Sequence, residues 1–149
     1  AANFNTGYFC CRQLSFGMLD MAWHTRTEPF DGDVIAFEKQ AWAQTVIVPE
    51  VSGTLMSSSF GHIFSGGYAA GYYGYKWAEV LDADAFSVFK TTGIFNRETA
   101  RSFRENVLSK GGTEDPAILY KRFRGQEPTI DALLIRNGIK QAEPKANSN

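Results

Sequence analysis

Hydrophobic residues recur along most of the chain with the spacing of a buried helix face rather than of a strand. In residues 6–23 this spacing continues without a proline, and Thr6 is placed to cap the first turn. Asp33 is placed to cap a second helix that runs to Thr45. The other predicted helices cover residues 68–89, 97–108, 115–123 and 129–137. The β-branched run at residues 46–48 is expected to be extended chain outside any sheet, so the pattern predicts an all-α fold.

The length of 149 residues fits one ordinary domain. We expect residues 1–140 to form a helical unit and the polar residues 141–149 to fray. The chain opens on Ala1, without an initiator methionine or a signal-peptide pattern, and a helix follows within a few residues. These features lead us to expect a piece of a longer protein.

Composition narrows the class of protein. Hydrophobic residues make up 44% of the chain and charged residues 21%, as in soluble globular domains. A formal net charge of −1 argues against a nucleic-acid surface, and no apolar run reaches the roughly 20 residues that span a bilayer. Neither a nucleic acid nor a membrane is therefore an expected partner. Aromatic residues make up 14% of the chain, which requires a large core or a binding cleft.

Candidates for metal ligands are few. The two histidines, His24 and His62, do not lie in an H-E-x-x-H motif, so a zinc site built wholly from this chain is not expected. Cys10 and Cys11 are adjacent, and two free thiols in a reducing compartment are the simplest interpretation. A redox or metal role for the pair is the alternative. The cysteines thus favour a cytoplasmic location.

One segment, rich in glycine and tyrosine, conflicts with local helix propensity. Glycine inside a helix costs about 1 kcal/mol relative to alanine, yet two glycines lie within the predicted helix at residues 68–89. On a helical wheel, a stripe of small residues borders a stripe of tyrosines: Gly67, Gly71, Gly74 and Ala78 beside Tyr68, Tyr72 and Tyr75. This arrangement predicts a close backbone contact and three phenols that point in one direction. Spacing alone is also typical of core packing, and a histidine such as His62 is more often structural than catalytic.

Residues 62–79, HIFSGGYAAGYYGYKWAE, closely resemble the C-terminal part of the thimet oligopeptidase family of zinc metallopeptidases. Similar residues occur in the family's order over nearly the whole chain except the tail: residues 12–14, 20, 23–24, 81–86, 104–108, 111–112, 123–125, 128, 131–134 and 138. The insertion before Gly66 and Gly67 resembles the branch of bacterial peptidyl-dipeptidase and oligopeptidase A. The resemblance implies the helical C-terminal part of an oligopeptidase, whose two mostly helical halves flank a deep substrate channel.

The resemblance also implies the chemistry. Family members bind zinc through H-E-x-x-H and a glutamate on the next helix, both upstream of the matched part, so zinc is implied as a cofactor whose ligands lie outside this chain. Catalytic roles fall on His62, Tyr68 and Tyr75, which would meet the charge that develops on the scissile carbonyl. Gly66 and Gly67 would form a flexible loop that faces the substrate.

The implied partners are a short peptide substrate and the N-terminal remainder of the peptidase. The chain alone is expected to be inactive, because it lacks the zinc-binding motif. The alternative from another class is a catalytically silent helical module with a binding or structural role.

Overall fold

The structure, a computed structural model, describes residues 3–141. All the regular secondary structure in that range is helical. The helices are α1 (Thr6–His24), α2 (Val34–Ala41), α3 (Gly61–Phe64), α4 (Gly74–Thr92), α5 (Arg97–Phe103), α6 (Pro116–Arg124) and α7 (Asp131–Arg136). A 3₁₀ turn lies at Ser57–Ser59 and a π-helical turn at Arg104–Leu108. The predicted all-α fold class is confirmed.

The chain divides into two compact units, one up to Trp77 and one from Ala78. Within the described range, no helix combines the length and the apolar character needed to cross a bilayer. The predicted polar tail lies, apart from Gln141, outside the described residues.

The core of the first unit forms around α1. Leu19, Phe60 and Ile63 are buried together, and partly buried aromatic residues pack around them: Phe16, Trp23, Phe37, Trp42 and Tyr72. Trp23 makes ring contacts with Phe37 at a centroid distance of 4.3 Å. The high aromatic content therefore serves, in this unit, as core.

Of the N-terminal caps predicted for the first two helices, one is present in the structure and the other is not. Asp33 caps α2 as predicted, because its carboxylate accepts hydrogen bonds from the amides of Ile35 and Ala36. Thr6, by contrast, is the first residue of α1, and the capping position falls on Asn5, whose φ of 57° is left-handed and whose side chain makes no capping bond. The predicted cap at Thr6 is wrong.

Helix α2 ends at Ala41, before the predicted end at Thr45. The backbone turns instead, with the amide of Thr45 donating to the carbonyl of Trp42 at 2.8 Å. The Thr45 hydroxyl lies 2.7 Å from that of Ser15 on α1, so this turn is tied to the first helix.

A buried carboxylate positions the segment that leads into the site. Glu38 on α2 accepts hydrogen bonds from the amides of Met56 and Ser57. The indole of Trp23 donates to the Ser57 hydroxyl at 2.8 Å. These contacts anchor the 3₁₀ turn, and the short helix α3 that carries His62 follows directly after it.

The predicted helix at residues 68–89 begins late. Residues 66–73 form turns, and α4 starts only at Gly74 and extends to Thr92. Positive φ angles of 80° at Gly67 and 52° at Ala70 interrupt a helical path. The predicted stripe of Gly67, Gly71, Gly74 and Ala78 is therefore wrong. A Cβ atom at Gly71 would meet only ordinary contacts from 3.5 Å, and one at Gly74 would meet nothing within 4 Å.

The second unit contains a buried ion pair and a helix with a side-chain cap. Asp84 on α4 is almost fully buried and accepts hydrogen bonds from the Tyr120 hydroxyl at 2.7 Å and from Arg124 Nε at 2.9 Å. Asp115 caps α6, and Pro116 lies in the first turn of that helix. Gly138, just beyond α7, has a left-handed φ of 73°.

Candidate active site at the tyrosine cluster

The loop of residues 66–73, called the tyrosine loop below, folds back directly over α3. A Cβ atom at Gly66 would lie 2.9 Å from both the Cα and the carbonyl oxygen of His62, so only glycine fits there without a shift. Gly67 has a left-handed φ of 80°, and the amide of Tyr68 donates to the His62 carbonyl at 3.2 Å. Both glycines thus have structural reasons to be glycine, and their predicted contact with substrate stays a prediction.

Asp20 on α1 holds the far end of the tyrosine loop. Its side chain is fully buried, and its two carboxylate oxygens accept separate hydrogen bonds, from the amide of Ala70 at 2.9 Å and from the amide of Tyr72 at 2.8 Å. Ala70 has a φ of 52°, which costs a residue with a side chain about 1–2 kcal/mol. The hydrogen bonds to Asp20 offset that cost.

His24 lies one helical turn after Asp20 and completes this anchor. Its Nδ1 atom lies 2.8 Å from Asp20 Oδ1 and 2.9 Å from the backbone carbonyl oxygen of Asp20. Both neighbours of Nδ1 are acceptors, so that nitrogen must carry a hydrogen. His24 therefore serves as a structural donor.

Four rings form one contiguous group, the tyrosine cluster: His62, Tyr68, Tyr72 and Tyr75. The rings of Tyr68 and Tyr75 stack with centroids 5.2 Å apart and an interplanar angle of 17°. His62 meets the edge of Tyr68 at 5.6 Å, and Tyr72 meets Tyr75 at 5.1 Å. The structure thus brings together the three residues for which catalytic roles are predicted.

The cluster has a buried base and an exposed surface. Tyr72 is half-buried and packs against Phe16 and Phe60 of the core. Tyr68 and Tyr75 are 37% and 43% exposed, and His62 is exposed as well. The core-packing alternative therefore describes Tyr72, whereas the stacked pair and the imidazole face outward.

The phenol of Tyr75 is held in its protonated form. Its hydrogen bond with Tyr68 raises the pKa of Tyr75 above its ordinary value, and loss of solvent and the neighbouring phenols act in the same direction. A tyrosine with such a pKa is a neutral hydrogen-bond donor at physiological pH. Two adjacent phenols beside an imidazole can donate hydrogen bonds to a carbonyl oxygen that gains negative charge.

In the part of the chain that the structure describes, no three His, Cys, Asp or Glu side chains come together in a way that could hold a metal ion. His24 is engaged by Asp20, and His62 lies in the tyrosine cluster. The described residues thus do not form a zinc site.

Sequence reasoning missed Asp20 and His24 as residues of the site. A signal was present, because Asp20 lies beside the buried Leu19 on α1 and is followed four residues later by a histidine, the spacing at which helical side chains meet. Tyr72 connects the core to the exposed pair.

Nearly the whole chain is similar in sequence to known proteins. Residues 1–139 match peptidase family M3. The chain is similar to oligopeptidase A of Escherichia coli (strain K12), with 48% identity over 141 residues that cover 94% of this chain and 21% of the relative. It is also similar to dipeptidyl carboxypeptidase of the same strain, with 41% identity over 141 residues, 93% of this chain and 21% of the relative.

A more distant relative is saccharolysin of Saccharomyces cerevisiae (strain ATCC 204508 / S288c), with 36% identity over 138 residues, 91% of this chain and 19% of the relative. The chain spans about a fifth of the length of these curated relatives. The resemblance seen in residues 62–79 is confirmed by these matches. The chain belongs to peptidase family M3.

Proposed function

We propose that the chain is the C-terminal helical part of a zinc-dependent oligopeptidase that hydrolyses short peptides. The chain would supply residues that bind the substrate and stabilise the transition state, and the remainder of the protein would supply the metal ligands. We call the chain joined to that remainder the parent peptidase. The observation that carries the proposal is the exposed Tyr68–Tyr75 pair beside His62 in a member of a peptidase family.

The stacked tyrosines are assigned to the carbonyl oxygen of the scissile bond. Negative charge grows on that oxygen as the carbonyl is attacked, and donors already in place stabilise it more than they stabilise the substrate. The exposure of Tyr75 supports this role, because a phenol is neutral and keeps its proton at physiological pH. His62, in ring contact with Tyr68, is assigned as a further donor.

The exposed backbone at Gly66 and Gly67 is assigned to the peptide substrate. Both residues are exposed and lie next to the tyrosine cluster. Backbone that has no side chain can approach an extended peptide closely. A short peptide, rather than a folded protein, is the substrate class that the names oligopeptidase A and dipeptidyl carboxypeptidase support.

Zinc and the compartment are the two further parts of the proposal. The described residues hold no metal-ligand set. We propose that the zinc ligands lie in the remainder of the parent peptidase. The roles above are those of this chain's own side chains. Free Cys10 and Cys11 support a reducing compartment, for which we propose the cytoplasm.

The competing function is a catalytically silent helical module. It is favoured by one observation, the lack of a metal-ligand set in the described residues. Under this alternative, the parent protein would bind peptides or other proteins without hydrolysing them.

The test uses a quenched fluorescent peptide and three proteins. We expect the parent peptidase to hydrolyse it, a chelator to abolish hydrolysis and added zinc to restore it, while the chain alone is inactive. A chimera, in which the chain replaces the matching part of E. coli oligopeptidase A, should also be active, because 48% of the aligned residues are identical. A zinc-loaded parent protein that cleaves no short peptide would support the silent module instead.

A further inference from the structure

Two aspartates are nearly inaccessible in the described part of the chain, and they are held in different ways. Asp84 is paired with the guanidinium of Arg124. Asp20 is fully buried and accepts its hydrogen bonds from two backbone amides and from His24. A buried carboxylate is costly unless it is well hydrogen-bonded, so its presence below a loop requires a reason.

The two amides that Asp20 binds are two residues apart in the tyrosine loop. Oδ1 accepts from Ala70 and Oδ2 from Tyr72, so both oxygens are used and the orientation of the intervening backbone is set. The left-handed φ of Ala70 is held by the same contact. Asp20 therefore clamps the loop at two residues: at Ala70, where the backbone has a left-handed φ, and at Tyr72, whose ring packs against the core.

Tyr72, which Asp20 holds, is in direct contact with Tyr75 of the exposed Tyr68–Tyr75 pair. The carbonyl of Tyr72 accepts a hydrogen bond from the amide of Tyr75 at 3.2 Å, and the two rings are in contact. Tyr75 in turn stacks on Tyr68. A rotation of the backbone at Tyr72 would thus move the phenol of Tyr75.

We propose that Asp20 is the positioning residue of the tyrosine cluster and that His24 orients its carboxylate. Asp20 acts through the loop amides and does not touch substrate. The effect on catalysis rests on the proposed function, whereas the effect on the loop does not.

A carboxylate is required for this clamp and an amide cannot replace it. Asparagine has the same size but offers one acceptor oxygen, and its NH₂ group can only donate. In Asp20→Asn, either the Tyr72 amide loses its acceptor or the Ala70 amide and His24 lose the oxygen that they share. The variant changes the clamp with little change in packing volume.

The experiment compares Asp20→Asn with Asp84→Asn in the parent peptidase. The second variant is the matched control, since it alters an equally inaccessible aspartate whose partners, Arg124 and Tyr120, lie outside the tyrosine cluster. Steady-state kinetics on the quenched peptide and hydrogen exchange of residues 66–73 by mass spectrometry are measured for both. Exchange reports on the amides that Asp20 binds and needs no activity.

For Asp20→Asn we expect kcat to fall about tenfold with little change in KM, and exchange in residues 66–73 to rise about tenfold, the scale of one lost hydrogen bond to a charged group. Under conditions in which both variants stay folded, Asp84→Asn should leave kcat and the exchange of residues 66–73 unchanged, because the contacts that it weakens lie outside the tyrosine cluster. If Asp20→Asn does not fold, His24→Ala carries the test, with changes in the same direction of about threefold, because the carboxylate remains but loses its orienting donor.

Unchanged exchange in residues 66–73 of a folded Asp20 or His24 variant would overturn the proposal, as would an equal rise in Asp84→Asn. Unchanged kcat with faster exchange would overturn its catalytic part. A wild-type parent protein with no peptidase activity would instead count against the proposed function, and the exchange result would still decide whether Asp20 clamps the loop.

Discussion

At the scale of single residues, Gly66 at the start of the tyrosine loop and Gly74 just after its end differ in what a side chain would meet. At Gly66, a Cβ atom would clash with backbone atoms of His62 at 2.9 Å, and backbone cannot move aside as a flexible side chain can. At Gly74, in the first turn of α4, a Cβ atom would meet nothing within 4 Å. One glycine is therefore required by packing and the other is not.

We predict that Gly66→Ala destabilises the parent peptidase by about 1–3 kcal/mol, the usual cost of overpacking a close contact. Gly74→Ala should instead stabilise it by up to about 1 kcal/mol, because alanine favours the helix and restricts the unfolded chain. Chemical unfolding curves of the two variants provide the comparison. Equal stability of the two proteins would mean that the loop does not lie against α3.

At the scale of elements, α4 and α6 are joined by a buried polar network. Asp84 on α4 accepts hydrogen bonds from Tyr120 and Arg124, both on α6. Around it, Ala85 and Phe123 pack with Phe89 and Phe103. The network sets the contact between the two helices, because each partner would otherwise be left with a buried polar group.

We predict that Asp84→Asn lowers the free energy of unfolding by about 3 kcal/mol, since it leaves the Arg124 guanidinium without its buried counter-charge. Asp82→Asn, at an exposed position of the same helix, is the control and should cost less than about 1 kcal/mol. Urea unfolding followed by circular dichroism measures both. A loss at Asp84 no larger than at Asp82 would show that the network adds little.

The same network predicts a dependence on alkaline pH. Burial, followed by the hydrogen bond to Asp84, raises the pKa of Tyr120 above its ordinary value. Above about pH 10 the folded protein then holds a proton that the unfolded chain loses, so the free energy of unfolding falls as pH rises further. Below about pH 10, the stability that the protonated Tyr120 contributes is fully present.

Unfolding at about pH 9 and about pH 11 tests this dependence, with Tyr120→Phe as the control because phenylalanine does not titrate. The wild-type protein should lose more stability between the two pH values than the variant. An equal loss in both would show that Tyr120 does not carry the effect.

Elements that depend on local signals could be predicted from the sequence. Helix α1, the cap at Asp33, the proline at the start of α6 and the glycine after α7 all lie where propensity and capping place them. Each of these signals involves residues within one or two helical turns, so no knowledge of tertiary contacts is needed.

The start of α4 could not be predicted, because its cause is distant in sequence. Asp20, 50 residues before Ala70, binds the loop amides that a helix would otherwise use. The arrangement of the site residues could not be predicted for the same reason. On a helix, Tyr68 and Tyr75 would be about 10 Å apart along the axis, whereas their rings stack at 5.2 Å because the loop is not helical. The residues could be named in advance, but their arrangement could not.

At the scale of the whole molecule, the chain carries one part of a proposed catalytic apparatus. It spans about a fifth of the length of its curated relatives and, in the described residues, holds no metal-ligand set. We predict that the chain alone retains no stoichiometric zinc after dialysis, whereas the parent peptidase retains it, because a tight site needs three or four protein ligands. Elemental analysis of both proteins measures this. One equivalent of zinc in the chain alone would place the ligands here after all.

The exposed phenol of Tyr75 is proposed to stabilise the transition state of peptide hydrolysis. The direct measurement is the kinetics of Tyr75→Phe in the zinc-loaded parent peptidase, beside Tyr73→Phe as a matched control from the same segment. Tyr73 is 59% exposed and lies outside the tyrosine cluster, so it reports the effect of removing a hydroxyl alone.

We expect Tyr75→Phe to lower kcat by about 10²–10³, the usual loss for one donor to a developing oxyanion, while KM and the melting temperature change little. Tyr73→Phe should match the wild-type enzyme. A kcat for Tyr75→Phe within about threefold of wild type, far below the loss expected for such a donor, would contradict the account and leave Tyr75 as a structural tyrosine.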